Sequence, residues 1–210
     1  MDTDRDAALL KYTDVWKDRS YEENSFYYRG GESKVKDIIT ELKMDTKDHI
    51  TDWGCGSGLT AKLFCDEGLF VHGIDLAPNC LSEKLEEQSR FYFSQECLWD
   101  LSDKVTDSEW LICNYVLEHL PEKKLHAVLY QMHKRTKKGG FFTMSLMEDE
   151  WGPRKMNLGL HLTVRASRWW YDQLSRYWRV TYQTSITNES IIAYVTPKKE
   201  NNYAGSWPEY

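Results

Sequence analysis

A short acidic and glycine-rich segment is the first part of this chain whose residue types could do chemistry. Residues 49–64 read HITDWGCGSGLTAKLF: a β-like run reaches Asp52, and Gly54, Gly56 and Gly58 follow at alternate positions before a helical pattern begins. Glycine lets the backbone approach a ligand closely because it carries no side chain. The segment therefore predicts a ligand-binding turn between a strand and a helix, and the question is whether the ligand carries a phosphate.

The spacing of this turn differs from the known phosphate-binding turns. A dinucleotide turn needs G-x-G-x-x-G, but Leu59 occupies the place of its third glycine, and the G-x-x-x-x-G-K-[ST] loop is absent. The carboxylate of Asp52 would repel a diphosphate by about 1 kcal/mol or more and would attract a cation. Asp75, about twenty residues further on, suits a ribose diol, whose hydroxyls donate to a carboxylate. The turn is therefore suited to a nucleoside that carries positive charge.

The elements that must position these residues alternate between strands and helices. Strands are predicted at HITD, LFVHGID, RFYFS, EWLICNYV and FFTMSL, and the segments RVTYQTSI and SIIAYVTP form a closing hairpin. Helices are predicted over residues 33–44, from Leu59 to about Gly68, after Pro78, from Pro121 to a stop at Gly139 and Gly140, and at SRWWYDQLSRYW. The pattern predicts an α/β fold with an open, doubly wound sheet of parallel βαβ units and an antiparallel end.

Three polar residues stand where predicted strands end. In an open α/β sheet, ligands bind outside the carboxyl ends of the strands, at the point where the strand order reverses. Asp52, Asp75 and Asn114 each lie at the end of such a strand. We therefore expect their side chains to share one edge of the sheet.

Composition and charge exclude several classes of protein. The 210 residues, 41% hydrophobic and 29% charged, suit one globular domain, and the net charge of −6 disfavours a general nucleic-acid binder. The five cysteines form no C-x-x-C pair, so neither a zinc ribbon nor a full disulfide framework fits, and reduced thiols in a cytoplasmic protein are expected. No secretory signal and no membrane-spanning run of about 20 apolar residues is predicted.

Four motifs together resemble those of one enzyme family. The segments ITDWGCGSG, VHGIDLAPNCL, EWLICNYVLEHLP and KKGGFFTMSL resemble the class I (Rossmann-like) S-adenosylmethionine-dependent methyltransferases, in their order and spacing, over about residues 33–196. The resemblance implies a mostly parallel seven-stranded sheet with an antiparallel C-terminal hairpin and helices on both faces. It also implies S-adenosylmethionine as cofactor and S-adenosylhomocysteine as product. The domain limits that follow are an N-terminal arm or lid (1–32), the methyltransferase domain (33–198) and a tail (199–210).

The resemblance assigns cofactor contacts to particular residues. Asp52 and Gly54 would face the methionine part of the cofactor, and Gly56 and Gly58 would leave room for the backbone to approach it. Asp75 would hold the ribose hydroxyls, and Leu76 would pack on the adenine. The carbonyl of Asn114 would accept a hydrogen bond from the cofactor's ammonium group. The adenine amine would meet the acid Asp100 or, as strand spacing favours, backbone groups of Leu98 or Trp99. Arg29, in a lid with Tyr27 and Tyr28, would grip the cofactor's carboxylate with a bidentate guanidinium.

The sequence carries fewer signals for the residues that would contact the methyl acceptor than for those that would contact the cofactor. A general base is needed only if the acceptor atom begins protonated. His119 and His161 are the candidates for this base, with Tyr115 as a third. His119 could instead have a structural role and fix the entry to a helix. Tyr28, Tyr115, Arg165 and Trp169 are expected to line the acceptor pocket, although one of the adjacent Trp169 and Trp170 should pack in the core. No metal ligands are predicted, because Glu148, Asp149 and Glu150 are consecutive and point in different directions.

The turn after the fourth strand limits the acceptor. It reads NYVL and lacks the [DNS]-P-P-[YF] pattern that marks amino-methylating DNA enzymes of this fold, and the P-C nucleophile of cytosine C5 methylation is also absent. The sequence therefore favours O- or N-methylation of a small-molecule or glycan acceptor, with no nucleic-acid or membrane partner, and leaves the oligomeric state open. Two alternatives remain: a cofactor-binding but catalytically idle scaffold, and an NAD-dependent oxidoreductase.

Overall fold

The structure, a computed structural model, describes residues 3–24, 31–85, 88–184 and 189–198. Within them the α-helices are α1 (Thr3–Val15), α2 (Gly31–Leu42), α3 (Leu59–Asp66), α4 (Glu122–Lys134), α5 (Trp151–Met156) and α6 (Ser167–Leu174). The strands are β1 (His49–Trp53), β2 (Phe70–Asp75), β3 (Phe91–Gln95), β4 (Ser108–Asn114), β5 (Thr136–Ser145), β6 (Trp178–Thr184) and β7 (Ser190–Pro197). Short 3₁₀ turns cover Arg19–Asn24, Glu83–Leu85 and Leu117–His119.

The seven strands form one sheet in the order β3-β2-β1-β4-β5-β7-β6. The first five strands pair in parallel, and β7 runs antiparallel to both β5 and β6. The doubly wound α/β fold with an antiparallel C-terminal hairpin is thus confirmed. The chain moves outward from β1 to β3 and then returns to β4, so the order reverses between β1 and β4, where such sheets bind ligands.

Helices cover both faces of the sheet because the buried strands are apolar on both sides. Alternate strand residues face opposite sides, so Ile112 and Phe141 pack with α2 and α3, whereas Leu111 and Phe142 pack with α4 and α6. Trp170 of α6 is completely buried and Trp169 only partly, which agrees with the expectation that one of these two neighbours packs in the core.

Two local predictions are wrong. Pro78 begins no α-helix: in the described part of the segment between β2 and β3, Pro78 and Asn79 form a turn and Glu83–Leu85 forms a 3₁₀ turn. The Asp75 carboxylate accepts from the Ala77 N–H and Trp16 packs on Ala77, which fixes the backbone just before Pro78. Gly139 and Gly140 do not end α4 but lie inside β5. A Cβ on Gly139 would stand 2.1 Å from the carbonyl oxygen of Val195, so the glycines allow neighbouring strands to approach.

The N-terminal segment lies against the segment that follows β2. Arg19 donates to the carbonyls of Cys80 and Leu81 at 3.0 and 2.7 Å, and the Asn79 amide donates to the carbonyl of Thr13. Trp16 packs against Cys80, one of five cysteines that are all buried free thiols. The proposed domain limits remain a prediction. Among the described residues, no helix is both long and apolar enough to cross a membrane.

Candidate active site

One large cavity opens at the carboxyl ends of β1, β2 and β4. Its volume is about 1480 Å³, more than the range of roughly 300–1,000 Å³ that is typical of pockets for one small ligand. The sheet edge forms its floor, α1 and the 3₁₀ turn after it form one wall, and α5 with the following loop forms another. The cavity therefore has room for two molecules side by side.

The glycine turn begins at the end of β1. The N–H groups of Gly54 and Cys55 donate to the carbonyl of Ile74 at 2.8 and 3.0 Å, which ties the turn to β2. Gly54 lines the cavity, and a Cβ there would lie 2.6 Å from both methyl groups of Val116. Gly56 and Gly58 do not line the cavity: Trp16 covers the first, and Leu85 lies against the second.

Asp52 lies in β1 with its carboxylate almost completely buried. Its Oδ2 atom contacts no hydrogen-bond partner among the described residues, although Asp52 lines the cavity. Burial, together with the nearby charge of Asp75, raises the pKa of Asp52 to about 7. A buried carboxylate with an unpaired oxygen is stabilised by a cation placed beside it.

Asp75 ends β2 and is held by the backbone. Its Oδ2 accepts from the Gly56 N–H at 3.0 Å and its Oδ1 from the Ala77 N–H at 2.9 Å. Burial raises the pKa of Asp75, and these hydrogen bonds act in the opposite direction. Each carboxylate oxygen has two lone pairs, so each could accept a further bond from a hydroxyl in the cavity. Leu76, the next residue, also lines the cavity.

The segment after β3 supplies an apolar wall. Leu98 and Trp99 line the cavity, within a turn closed by the bridge between Cys97 and Asp100. Asp100 instead points to the surface, where its carboxylate accepts from Arg5 at 2.7 Å. Of the alternatives that the sequence leaves open, the geometry therefore favours Leu98 and Trp99 over Asp100.

The end of β4 forms a strained turn. Tyr115 has a φ of +53°, which is uncommon for a residue with a side chain, and its N–H donates to the carbonyl of Thr143 at 2.9 Å. This turn directs Asn114 and Tyr115 into the cavity. The Asn114 Oδ1 accepts from the Thr143 hydroxyl at 3.3 Å, while its buried Nδ2 has no partner among the described residues.

Two histidines and a tyrosine also line the cavity. The rings of His119 and His161 meet edge to face with centroids 4.8 Å apart, and Tyr12 of α1 packs edge to face on His119 at 5.9 Å. The Tyr12 hydroxyl is buried without a partner among the described residues. Burial, reinforced by His161 and Lys11, lowers the pKa of His119 to about 3. His119 is therefore poorly matched to a general base at neutral pH.

Comparison with known proteins agrees with this architecture. Residues 50–140 match the family model described as a methyltransferase domain. That stretch contains β1 to β4, the glycine turn and the Tyr115 turn, which form the floor of the cavity. This match is to a methyltransferase domain, the kind of domain that the sequence motifs resemble.

Solved structures show the same fold at low sequence identity. A DhpI complex with S-adenosylhomocysteine superposes with a TM-score of 0.70 at 12% identity, covering 91% of this chain and 98% of that one. The magnesium protoporphyrin IX methyltransferase ChlM from Synechocystis PCC 6803 with bound S-adenosylhomocysteine gives 0.68 at 15%, covering 93% and 100%. The glycopeptide N-methyltransferase MtfA with the same ligand gives 0.62 at 10%, covering 80% and 90%. No curated protein sequence matches this one.

Some residues predicted for the site do not line this cavity. Arg165 and Trp169 are not among the residues that line the cavity: the exposed Arg165 guanidinium binds the Glu122 carboxylate at 2.5 Å and lies over the Trp169 ring. We therefore do not retain these two residues in the acceptor pocket. Tyr28 and Arg29 lie outside the described residues.

Part of the cavity is supplied by α1, Trp16 and the 3₁₀ turn Arg19–Asn24, which the sequence did not point to. Lys11, Tyr12, Trp16 and Tyr21 line it. They lie within the predicted arm or lid (1–32), but the lid residues named from the sequence were Tyr27, Tyr28 and Arg29. The spacing of Tyr12 and Trp16, four residues apart on one helical face, is the signal that could have found them.

Asp149 and Glu150, in the acidic run before α5, bind neighbouring groups of the protein. Asp149 accepts from the N–H groups of Trp151, Gly152 and Leu160 at 2.9 to 3.0 Å, and Glu150 pairs with Arg154. These consecutive acids do bind different partners, as expected. The described residues nevertheless contain two groups of side chains of the kinds that bind metals, and within each group the ligand atoms lie within 4.8 Å of one another. The first group is Cys55, Asp75 and Cys80, and the second is Glu118, His119 and His161. Neither group is visible in the sequence, because each combines residues from distant segments.

Proposed function

We propose that this protein transfers the methyl group of S-adenosylmethionine to an oxygen or nitrogen atom of a small-molecule or sugar-containing acceptor. The observation that carries the proposal is the Asp52 carboxylate, which is buried, incompletely paired among the described residues and part of the cavity lining beside the glycine turn. Such a group favours a cationic ligand and opposes a diphosphate. S-adenosylmethionine combines an adenosine with a cationic tail.

The donor would lie along the carboxyl edge of the sheet. Asp75 is positioned by two backbone N–H groups to accept from the ribose hydroxyls, and Leu76, Leu98 and Trp99 offer apolar surface to the adenine. The amino acid part would reach Asp52, Gly54 and the carbonyl of Asn114. Arg29 remains the proposed partner of the donor's carboxylate.

The rest of the cavity would hold the acceptor. Methyl transfer is an in-line displacement for which the donor supplies the reactive carbon, and the protein mainly supplies alignment and a dry site. Tyr12, Tyr115, His119 and His161 line the cavity, and we assign them to its acceptor end. Because α1 closes this end, a small polar acceptor or a terminal group of a larger molecule fits better than a duplex nucleic acid.

Calorimetry on the full chain tests the donor assignment. We expect S-adenosylmethionine and S-adenosylhomocysteine to bind with dissociation constants on the order of micromolar, and NAD to give no heat above dilution. Binding of NAD without either adenosyl ligand would replace the proposal with an oxidoreductase.

Release of S-adenosylhomocysteine separates an enzyme from an idle scaffold. We expect the protein, mixed with S-adenosylmethionine and a panel of hydroxyl- and amine-bearing small molecules and sugars, to release product with at least one of them. The matched control is the Asp75→Ala variant, which should release less. A wild-type protein that binds the donor but releases product with none of the panel would favour the scaffold.

A further inference from the structure

Three ligand-type side chains meet at the acceptor end of the cavity. Glu118 and His119 belong to the 3₁₀ turn after β4, and His161 belongs to the loop after α5; one ligand atom from each lies within 4.8 Å of the others. The Glu118 carbonyl accepts from the N–H groups of Leu162 and Thr163 at 2.8 and 2.9 Å. Backbone hydrogen bonds therefore hold the two segments together.

Glu118 brings a carboxylate that the described protein does not fully satisfy. The residue is completely buried, its Oε1 accepts from the Ser145 N–H at 2.9 Å, and its buried Oε2 has no partner among the described residues. Burying a carboxylate oxygen without a donor or a cation is costly. Such an atom therefore indicates a missing ligand.

Both histidines have a nitrogen available for that ligand. The His161 Nδ1 lies 2.7 Å from the Met147 carbonyl oxygen. Because a carbonyl only accepts, Nδ1 carries the hydrogen and Nε2 keeps its lone pair. The His119 Nδ1 is buried and has no partner among the described residues. A histidine whose other N–H donates to a backbone carbonyl is the usual orientation of a metal ligand.

We propose that Glu118, His119 and His161 bind one divalent transition-metal ion, such as Zn²⁺, and leave a coordination position open toward the cavity. Two imidazoles and one carboxylate with an open position form a ligand set of catalytic zinc sites. Imidazole nitrogen favours such ions over Mg²⁺ or Ca²⁺, which prefer oxygen ligands. Ligand atoms at about 2.1 Å from a tetrahedral ion lie roughly 3.4 Å apart, so a small side-chain movement closes the group around the ion.

The open position gives the acceptor a chemical class, and this step rests on the proposed function. His119 and His161 line the cavity that also holds the donor site, so the ion would bind an acceptor hydroxyl and lower its pKa. The hydroxyl proton passes to solvent and the oxygen attacks the methyl carbon. The carbon–sulfur bond breaks with its electron pair going to sulfur, which yields a methyl ether, S-adenosylhomocysteine and one proton. The acceptor is thus an alcohol or phenol.

Metal binding is measured without any donor. Chelator-treated full-length protein is titrated with Zn²⁺ by calorimetry and with Co²⁺ by visible absorption, and we expect one ion per chain. His161→Ala and Glu118→Gln should each weaken binding roughly tenfold or more. The glutamine side chain keeps a carbonyl oxygen that can accept from the Ser145 N–H. The melting temperature of the Glu118→Gln variant checks that the variant folds. His49→Ala, which removes an exposed histidine far along the chain, should bind like the wild type.

Three outcomes overturn the site. The first is that Zn²⁺ and Co²⁺ show no saturable binding, and the second is that both ligand variants bind the metal as tightly as the wild type. The third is a thiolate-to-cobalt charge-transfer band that disappears in Cys80→Ser, because that band would place the ion at Cys55, Asp75 and Cys80. Acetohydroxamate, a small oxygen chelator, should change the cobalt spectrum, and an unchanged spectrum contradicts the acceptor role. Titration of the same samples with S-adenosylhomocysteine separates the two proposals. If the protein binds S-adenosylhomocysteine but no metal, only the metal site is rejected. If it binds the metal but not S-adenosylhomocysteine, only the donor assignment is rejected.

Discussion

The indole of Trp16 covers Gly56 so closely that a Cβ built on the glycine would stand 2.9 Å from its Cζ2 atom. Trp16 also packs on Ala77 and Cys80, just after the ribose-binding candidate Asp75. The glycine turn is therefore enclosed between the donor cavity and the N-terminal segment. The cavity itself stays open at Gly54 and Asp52.

Gly56→Val should weaken donor binding and also destabilise the fold. The φ of +52° disfavours a β-branched residue, and the added side chain would displace Trp16. We expect a stability loss of about 1–3 kcal/mol and a large loss of S-adenosylhomocysteine affinity, measured by thermal unfolding and calorimetry. Gly159→Ala is the matched control, because nothing lies within 4 Å of the added Cβ. A Gly56→Val variant with normal affinity would mean that the backbone at this position does not position the donor.

Asp75→Ala should weaken S-adenosylhomocysteine binding by about 1–3 kcal/mol, because it removes charge-assisted hydrogen bonds to the ribose and releases the Gly56 N–H. Calorimetry measures the change. Asp66→Ala removes an exposed acid that pairs with Lys62 and should leave the affinity unchanged. Equal affinities of Asp75→Ala and wild type would refute the ribose assignment.

Asp52 should make both stability and donor binding depend on pH. Its folded pKa of about 7 lies above the unfolded value of 3.8, so the folded state binds the extra proton between these values, and stability falls as pH rises through that range. Asp52→Asn should therefore raise the melting temperature more at pH 8 than at pH 5. A shift of equal size at both pH values would show that the carboxylate is not strained by burial.

The same ionisation should control donor affinity. If the ionised carboxylate binds the cationic donor, wild-type affinity falls about tenfold from pH 8 to pH 6, and the raised pKa of Asp75 acts in the same direction. Asp52→Asn should bind more weakly at pH 8 and show a smaller pH dependence. Calorimetry with S-adenosylmethionine at both pH values decides between these results.

Tyr12→Phe and Arg165→Ala should differ in their effect on the acceptor. The Tyr12 hydroxyl is buried at the acceptor end of the cavity, so its removal should raise the acceptor KM by roughly threefold to tenfold, the value of one ordinary hydrogen bond. Arg165 lies at the surface, where it pairs with Glu122 and covers the Trp169 ring, and its loss should leave KM unchanged and stability within about 1 kcal/mol. The reverse pattern would return Arg165 to the acceptor site.

The sequence by itself determined the alternation of strands and helices, the glycine turn and the acids at the strand ends. These features are local: side-chain periodicity of 2 or 3.6 residues and the special backbone of glycine are visible within a few neighbouring positions. They were sufficient to predict the doubly wound sheet and to place Asp52, Asp75 and Asn114 at one edge. The class of ligand followed from the charge of Asp52 next to the turn.

The tertiary structure alone decided what covers that edge. Trp16 and Tyr12 reach the cavity because the N-terminal segment packs against the residues that follow β2, and His161 meets Glu118 across more than forty residues of chain. Contacts of this kind depend on how separate elements pack and leave no local periodicity in the sequence. For the same reason Gly139 and Gly140 looked like a helix stop, although it is the close approach of β4 and β7 to β5 that requires them.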